Sequence, residues 1–301
     1  MPDLPSDSFH IDQKSAIPGA MRFWEIYLRD QGRSEFTIKA FMGDLKLLQK
    51  FLPTDAVVGS ITTNDLSRFI EWLANGRGKG ISCTPKSLSR RVTTIKSFFR
   101  WLASHGRISV DPAEPIIQHT VISPLPDVLT PEEEEKAVKT AKLLSDSGNG
   151  DSRPYALLKL LLETGIKKSE CLNIKLSHLF IGENERYLFV RYPDLKDRNK
   201  ERKISLSSDW VIGYQKYLSQ YHPEDTVFPW SPRRLEYILE DVGKAAGLDK
   251  HLSFSMCRWN SALDDMRKGV ELDAIRQKLG ISKIQWREIK LKLQKLSGQG
   301  K

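Results

Sequence analysis

Apolar residues recur at helical spacing along most of the chain. In residues 35–51, Ile38, Phe41, Leu45, Leu48 and Phe51 follow one another at steps of three and four, which predicts an amphipathic helix. Residues 21–31, with Phe23, Ile26 and Tyr27, and residues 62–73, with Leu66, Phe69, Ile70 and Leu73, predict two more. Thr62 or Thr63 offers an N-cap for the second of these. A fourth helix over residues 84–104 sets Leu88, Val92, Ile95, Phe99 and Leu102 on one stripe. Lys86, Arg90, Thr94 and Ser97 fall on another, so one face packs while the other is basic and hydroxylic.

The pattern lapses in two places. Residues 1–18 carry Pro2, Pro5 and Pro18 and little periodicity, and read as a flexible tail. Residues 108–129 hold Pro112, Pro115, Pro124 and Pro126 and read as an extended linker. A second domain then opens at Thr130, Pro131, Glu132 and Glu133, a capping box with proline at the first helical position. Within residues 174–206 the period shortens, and 186–192 and 201–206 predict two strands joined by a charged turn. Helical patterns return from Trp210, the last placing Trp286, Ile289, Leu293 and Leu296 on one stripe. That stripe either docks on a neighbouring protomer or folds back on its own domain. The fold class is therefore mainly α with a small β-hairpin: a tail (1–18), a helical domain (19–107), a linker (108–129) and a larger, mostly helical domain (130–301).

Composition narrows the function. With 301 residues, 40% hydrophobic and 28% charged, the chain is of soluble globular type. It has neither an apolar run of spanning length nor a secretory signal, which predicts a cytoplasmic protein without a membrane partner. Cys83, Cys171 and Cys257 are isolated from one another, so neither a disulfide framework nor a metal site is expected. Net charge is +9, and residues 18–110 alone hold fifteen Lys and Arg against seven Asp and Glu. Residues 72–110 contain no acid at all, yet include Arg77, Lys79, Lys86, Arg90, Arg91, Lys96, Arg100 and Arg107. A basic, acid-free surface with Thr94 and Ser97 beside it suits a polyphosphate backbone; the plainer alternative is a solvated helix face.

Four local boxes, in order, carry a resemblance. Residues 161–170 (LLETGIKKSE) resemble a LLxTGLRxSE box, and residues 196–206 (KDRNKERKISL) a KGxKxRxVPL hairpin one residue longer. Residues 252–259 (LSFSMCRW) stand where xTPHxLRH is found, and Leu279, Gly280 and Ile281 where LGH is found. In this order and spacing the chain resembles the tyrosine recombinase, or phage integrase, family, and its Xer-type members in particular. The resemblance implies a SAM-like core-binding domain and a catalytic-type domain that clamp duplex DNA, with no metal or nucleotide cofactor.

It also implies a chemistry in which a tyrosine attacks the scissile phosphate. Two arginines hold the phosphate oxygens, a hairpin lysine protonates the leaving oxygen, and histidines assist proton transfer. Carried over residue by residue, the first arginine is Lys167, a point charge without the planar fork. The first histidine is Ser255, and its arginine is kept as Arg258. The second histidine is Ile281, the nucleophile is Lys290, and Lys196 keeps the hairpin lysine. Tyr237 is the last tyrosine of the chain, so no shift of alignment supplies one near position 290. The expectation is a DNA-binding relative that no longer cleaves, gripping the backbone through Arg77, Lys79, Lys86, Arg90, Arg91, Thr94, Ser97, Lys167, Lys196 and Arg258. It would act alone, beside an active recombinase, or in a self-assembly made through the C-terminal helix. The alternatives are an active recombinase or integrase using a partner's nucleophile, and a protein–protein assembly module on the same scaffold.

Overall fold

In a computed structural model, residues 11–77, 80, 82–118, 124–148 and 150–298 are described. The chain divides into two compact units, 1–123 and 124–301.

The first unit holds α1 (Ile17–Asp30), α2 (Glu35–Phe51), α3 (Thr63–Ala74) and α4 (Pro85–Ser104). Local chemistry sets their starts. Ser34 and Thr84 accept from the amides of Thr37 and Ser87, and Thr62 and Asp65 cap each other's backbone reciprocally. The apolar stripes then meet in one core around Trp24, Leu45, Leu48, Phe69, Phe98 and Phe99.

Both boundaries predicted for this unit move. Ile11 and Ile17 are buried in its core, and the Val58 and Gly59 amides donate to the carbonyls of Ser15 and Gln13. The described part of the expected tail is thus packed, because two isoleucines and a backbone pairing hold it. Ile108, Ala113 and Ile116 of the expected linker are buried in the same core. Lys96 Nζ fastens that stretch by donating to the carbonyls of Ala113, Glu114 and Ile116 at 3.0, 3.0 and 2.6 Å. Few residues of a proline-rich segment need bury for it to pack, provided its carbonyls find donors.

The second unit runs α5 (Pro131–Asp146), α6 (Arg153–Thr164), α7 (Lys168–Leu172), β1 (Leu179–Ile181), β2 (Arg186–Val190), β3 (Arg202–Ser205), α8 (Ser208–Tyr221), α9 (Pro232–Ala245), α10 (Phe254–Arg267), α11 (Leu272–Lys278) and α12 (Lys283–Leu296). The expected capping box at Thr130 and Glu133 is formed. Helix α6 is buried over most of its length and is the centre of this unit. Gly213 lets α8 lie against it, since a Cβ there would sit 2.4 Å from the Tyr155 ring. The hairpin gains a third antiparallel strand, β1, giving the order β1-β2-β3 with Leu188 between Leu179 and Ile204. Helix α12 folds back on its own unit: Trp286 and Leu293 are buried with Leu263, Ile275, Leu279 and Ile281. Among the described residues no helix is long and apolar enough to cross a membrane.

A candidate phosphate pocket and a basic helix face

Helix α6 ends at Gly165, whose φ of +58° turns the chain sharply into Lys167 and α7. A side chain there would press on Leu279 and Ser261, with Cβ distances of 2.9 and 3.0 Å, so the turn is closed by glycine twice over. One turn later stands Glu170, a buried carboxylate. It accepts from the Lys167 amide at 2.8 Å, from both terminal nitrogens of Arg202 at 3.2 and 2.9 Å, and from the Tyr192 hydroxyl. Burial alone would raise this carboxyl, but the hydrogen bonds and charge of Arg202, with the Tyr192 bond, hold it below the usual carboxylate range. Burial and the Glu170 acceptor in turn push the Tyr192 phenol up to about 12.

The cations around Glu170 also converge on the end of α11. Arg202 Nε donates to the Lys278 carbonyl at 2.5 Å, Arg258 Nη2 to Leu279 at 2.5 Å, and Lys167 Nζ to Gly280 at 3.5 Å. Arg276 Nη1 adds the Ile281 carbonyl at 3.1 Å. Four successive carbonyls at a helix C-terminus, where unpaired oxygens carry partial negative charge, are thus each met by a different cation. Gly280, with φ +59°, permits this crowding, since a Cβ would lie 2.6 Å from Arg202 Nη1. The other arm of Arg258 donates to the Gly165 carbonyl, tying the ends of α6 and α11 together. Burial pushes the Arg258 guanidinium down to about 10. Lys167 is likewise lowered by burial; Glu170, 3.7 Å away, opposes this, and the charges of Arg258, Arg202 and Lys200 add to it.

An open cavity of about 780 Å³ adjoins this cluster and is lined by Lys167, Ser255 and Arg258 together with Lys168, Arg233 and Tyr237. The structure therefore brings three of the family-equivalent positions to one cavity. Ser255 is exposed in the first turn of α10. Ile281 is buried in the core beneath α12, and Lys290 lies half-buried on α12. Lys196 is in the turn Leu195–Lys200 between β2 and β3, and its side chain lies outside the described part of the structure. Arg202 and Tyr192 were missed as partners of Glu170. The arginine that closes the hairpin box was the only available signal, and its acid lies 32 positions upstream. The cavity offers cations for an anion, and Lys290 is not among the residues that line it.

In the first unit, α4 departs from expectation on its basic side. Thr94 is fully buried and donates to Asp44 Oδ2 at 2.9 Å, so it makes no contact with an external phosphate. Arg90 grips the same carboxylate with two nitrogens, one at 2.9 Å, and Arg91 Nε stands 3.4 Å from it. Asp44, buried on α2, is the reason: α2 packs where Thr94 points, and one carboxylate there draws in two of the counted cations. Thr93 faces the half-exposed side instead and accepts from Gln118 at 2.7 Å. Lys86 and Arg100 remain exposed, Ser97 and Arg77 half-exposed, and Lys79 lies outside the described residues.

Comparison with known proteins matches this arrangement. Residues 127–289 match the phage integrase family and residues 20–106 its N-terminal SAM-like domain. The tyrosine recombinase XerD of Listeria monocytogenes is 25% identical over 290 residues, 91% of this chain and 93% of its own. The tyrosine recombinase XerC of Oceanobacillus iheyensis is 26% identical, covering 86% of each chain. Among solved structures, a lambda integrase dimer bound to a COC′ core site superposes with a TM-score of 0.69 at 18% identity, over 90% of this chain and 76% of that one. XerH bound to its difH substrate gives 0.68 at 16%, over 91% and 80%. A two-unit chain with both domains matched in order, and with the family's boxes gathered around Glu170, belongs to the phage integrase family.

Proposed function

We propose that this chain is a duplex-DNA-binding member of the phage integrase family that does not itself cleave DNA, and that it serves an accessory, architectural or regulatory role at recombination sites. The observation that carries the reading is the absence of any tyrosine after Tyr237, with Lys290 at the nucleophile-equivalent position. An amine cannot form the phosphotyrosine link that conserves bond energy for rejoining. The fate of the other positions supports it: Lys167 lacks the bidentate fork, Ile281 cannot move a proton, and Arg258 is engaged with two backbone carbonyls.

DNA binding rests on a different set of groups. Lys86, Ser97 and Arg100 on α4 and Arg77 before it make a positive surface in one unit. Lys167, Lys168 and Arg233 line the cavity of the other, with Lys196 in the neighbouring turn. The relatives' names place them among recombinases, and lambda integrase is a dimer on a COC′ core site and a tetramer on a Holliday junction. Self-assembly on DNA is therefore part of the reading.

Selection of binding sites from random duplex DNA at two salt concentrations tests recognition. An enriched half-site or inverted repeat supports it, whereas weak binding without enrichment leaves only the phosphate contribution. Suicide substrates carrying a nick test the loss of cleavage. A covalent protein–DNA species on a denaturing gel would overturn the reading.

A further inference from the structure

The small sheet has two unlike faces. Leu188, Val190 and Ile204 are buried on one, in the core of the second unit. Tyr187, Phe189 and Lys203 alternate with them on the other, and Phe180 pairs across the strands with Tyr187. Apolar rings on the solvent side of this small sheet are not needed by the core, and here they run across from the central strand β2 to the edge strand β1. The Phe180 and Tyr187 rings stack with centroids 4.5 Å apart and planes 18° from parallel. Lys203 Nζ stands 4.4 Å from the centre of the Tyr187 ring. Cation, phenol and phenyl thus form a column across the sheet, and it ends on Phe180 of β1, 44% exposed.

We propose that this column is a stacking site for an unpaired base of single-stranded nucleic acid. A ring stacked by a neighbour on one side and exposed on the other accepts one more flat π layer, and base–aromatic stacking needs no sequence match. A base inside a duplex has both faces covered by its neighbours, so only an unpaired base can enter. The charge around the column complements the strand's phosphates. Arg186, Arg191 and Lys203 are exposed cations, with the Arg191 guanidinium 5.3 Å from the Phe189 ring. Beside them a shallow cavity of about 390 Å³, lined by Glu185, Arg186, Tyr187, Lys203 and Ser205, has room for sugar and phosphate, with two cations against one acid. Of the nearby acids, Glu201 accepts from the Tyr192 amide, Glu185 lines the shallow cavity, and Glu183 stands at the β1–β2 turn. Neither α4 nor the Lys167 cavity takes part; of the groups proposed to grip duplex DNA only Lys196 stands near, in the turn that joins β2 and β3.

The test compares the whole chain with Phe180→Ala, Tyr187→Ala and Phe180→Leu by fluorescence anisotropy. The probes are labelled oligothymidylate, labelled oligouridylate and a duplex of equal length. Each alanine variant is expected to weaken single-strand binding about tenfold while duplex affinity stays within about twofold. Phe180→Leu keeps the apolar area without the π face, and is expected to lose nearly as much. Comparison of the two oligonucleotides tells whether DNA or RNA is the better source of the base. A wild-type chain that binds neither strand, or a Phe180→Leu variant that binds as wild type, overturns the proposal. Ultraviolet cross-linking of a bromodeoxyuridine strand gives a readout independent of variant folding; cross-links mapping only to α4 or α9 would likewise overturn it. Loss of duplex binding alone would count against the proposed function and leave this site standing.

Discussion

Single residues in this chain carry more structural load than their family positions suggest. Arg258 spans two helix ends and is mostly withdrawn from water, so its removal strands the carbonyls of Gly165 and Leu279. Arg258→Gln is expected to lower stability by about 2–4 kcal/mol, read as a fall in the urea midpoint at unchanged slope. Asp44 is the matching case in the first unit: a buried carboxylate that serves Arg90, Arg91 and Thr94. Asp44→Ala leaves the buried Thr94 hydroxyl without its acceptor and releases the exposed Arg90, at a cost of about 1–3 kcal/mol in the same measurement. Glu134 adds a pH dependence. Burial, then the charge of Asp264, raises its carboxyl from 4.5 to about 7, against the hydrogen bond from Asn260. The folded chain therefore keeps a proton that the unfolded chain has already released, and this group's contribution falls as pH climbs from 4.5 towards 7. Urea midpoints measured near pH 5.5 and near pH 7.5 should differ less in Glu134→Gln than in the parent chain.

Elements show how the family scaffold is held together. Helix α12 is stitched to its own unit by Trp286 and Leu293, so it is a packing element before it is a docking one. Leu293→Ala is expected to cost about 2–5 kcal/mol, by cavity formation in a small satellite core. Truncation after Gly280 should expose Leu263, Ile275 and Leu279, and the product is expected to unfold in part, seen as lost near-ultraviolet circular dichroism. A truncated chain that keeps its signal and changes only its mass in solution would restore the docking role. The α6–α7 corner depends on Gly165, where both the φ of +58° and the approach of Leu279 exclude a Cβ.

At the scale of the molecule, charge is distributed by task. The excess of cations in residues 18–110 is partly absorbed by Asp44 and by carbonyls that Lys96 fastens, and what remains exposed on α4 is short of what counting suggested. Binding to duplex DNA is expected to weaken steeply with salt, and Lys86→Ala or Arg100→Ala to reduce the slope of log K against log salt by about one each. A substitution that weakens binding without changing the slope would show that the residue makes no phosphate contact. The two units each have their own core, so this titration reports on surface contacts without disturbing either fold.

Much of this was legible in the sequence, because helix periodicity, capping boxes and turn prolines act over a few residues. The four helices of the first unit, the box at Thr130, the hairpin, the order of the family boxes and the lack of a late tyrosine all come from local pattern. The boundary at Ile11 and the strand β1 were missed because a lone isoleucine and a three-residue strand have no period to detect. The partners of charged groups escaped for a different reason. Arg90 and Asp44 are 46 positions apart and Arg258 and Gly165 are 93 apart, so packing alone decides whether such a cation faces phosphate, acid or carbonyl. The sequence by itself determined which cations are available to the proposed DNA surface and that a lysine stands where the resemblance expects the nucleophile. Tertiary structure decided which of those cations are spent inside the fold, because the cost of burying a charge is met only by a partner that folding brings within reach.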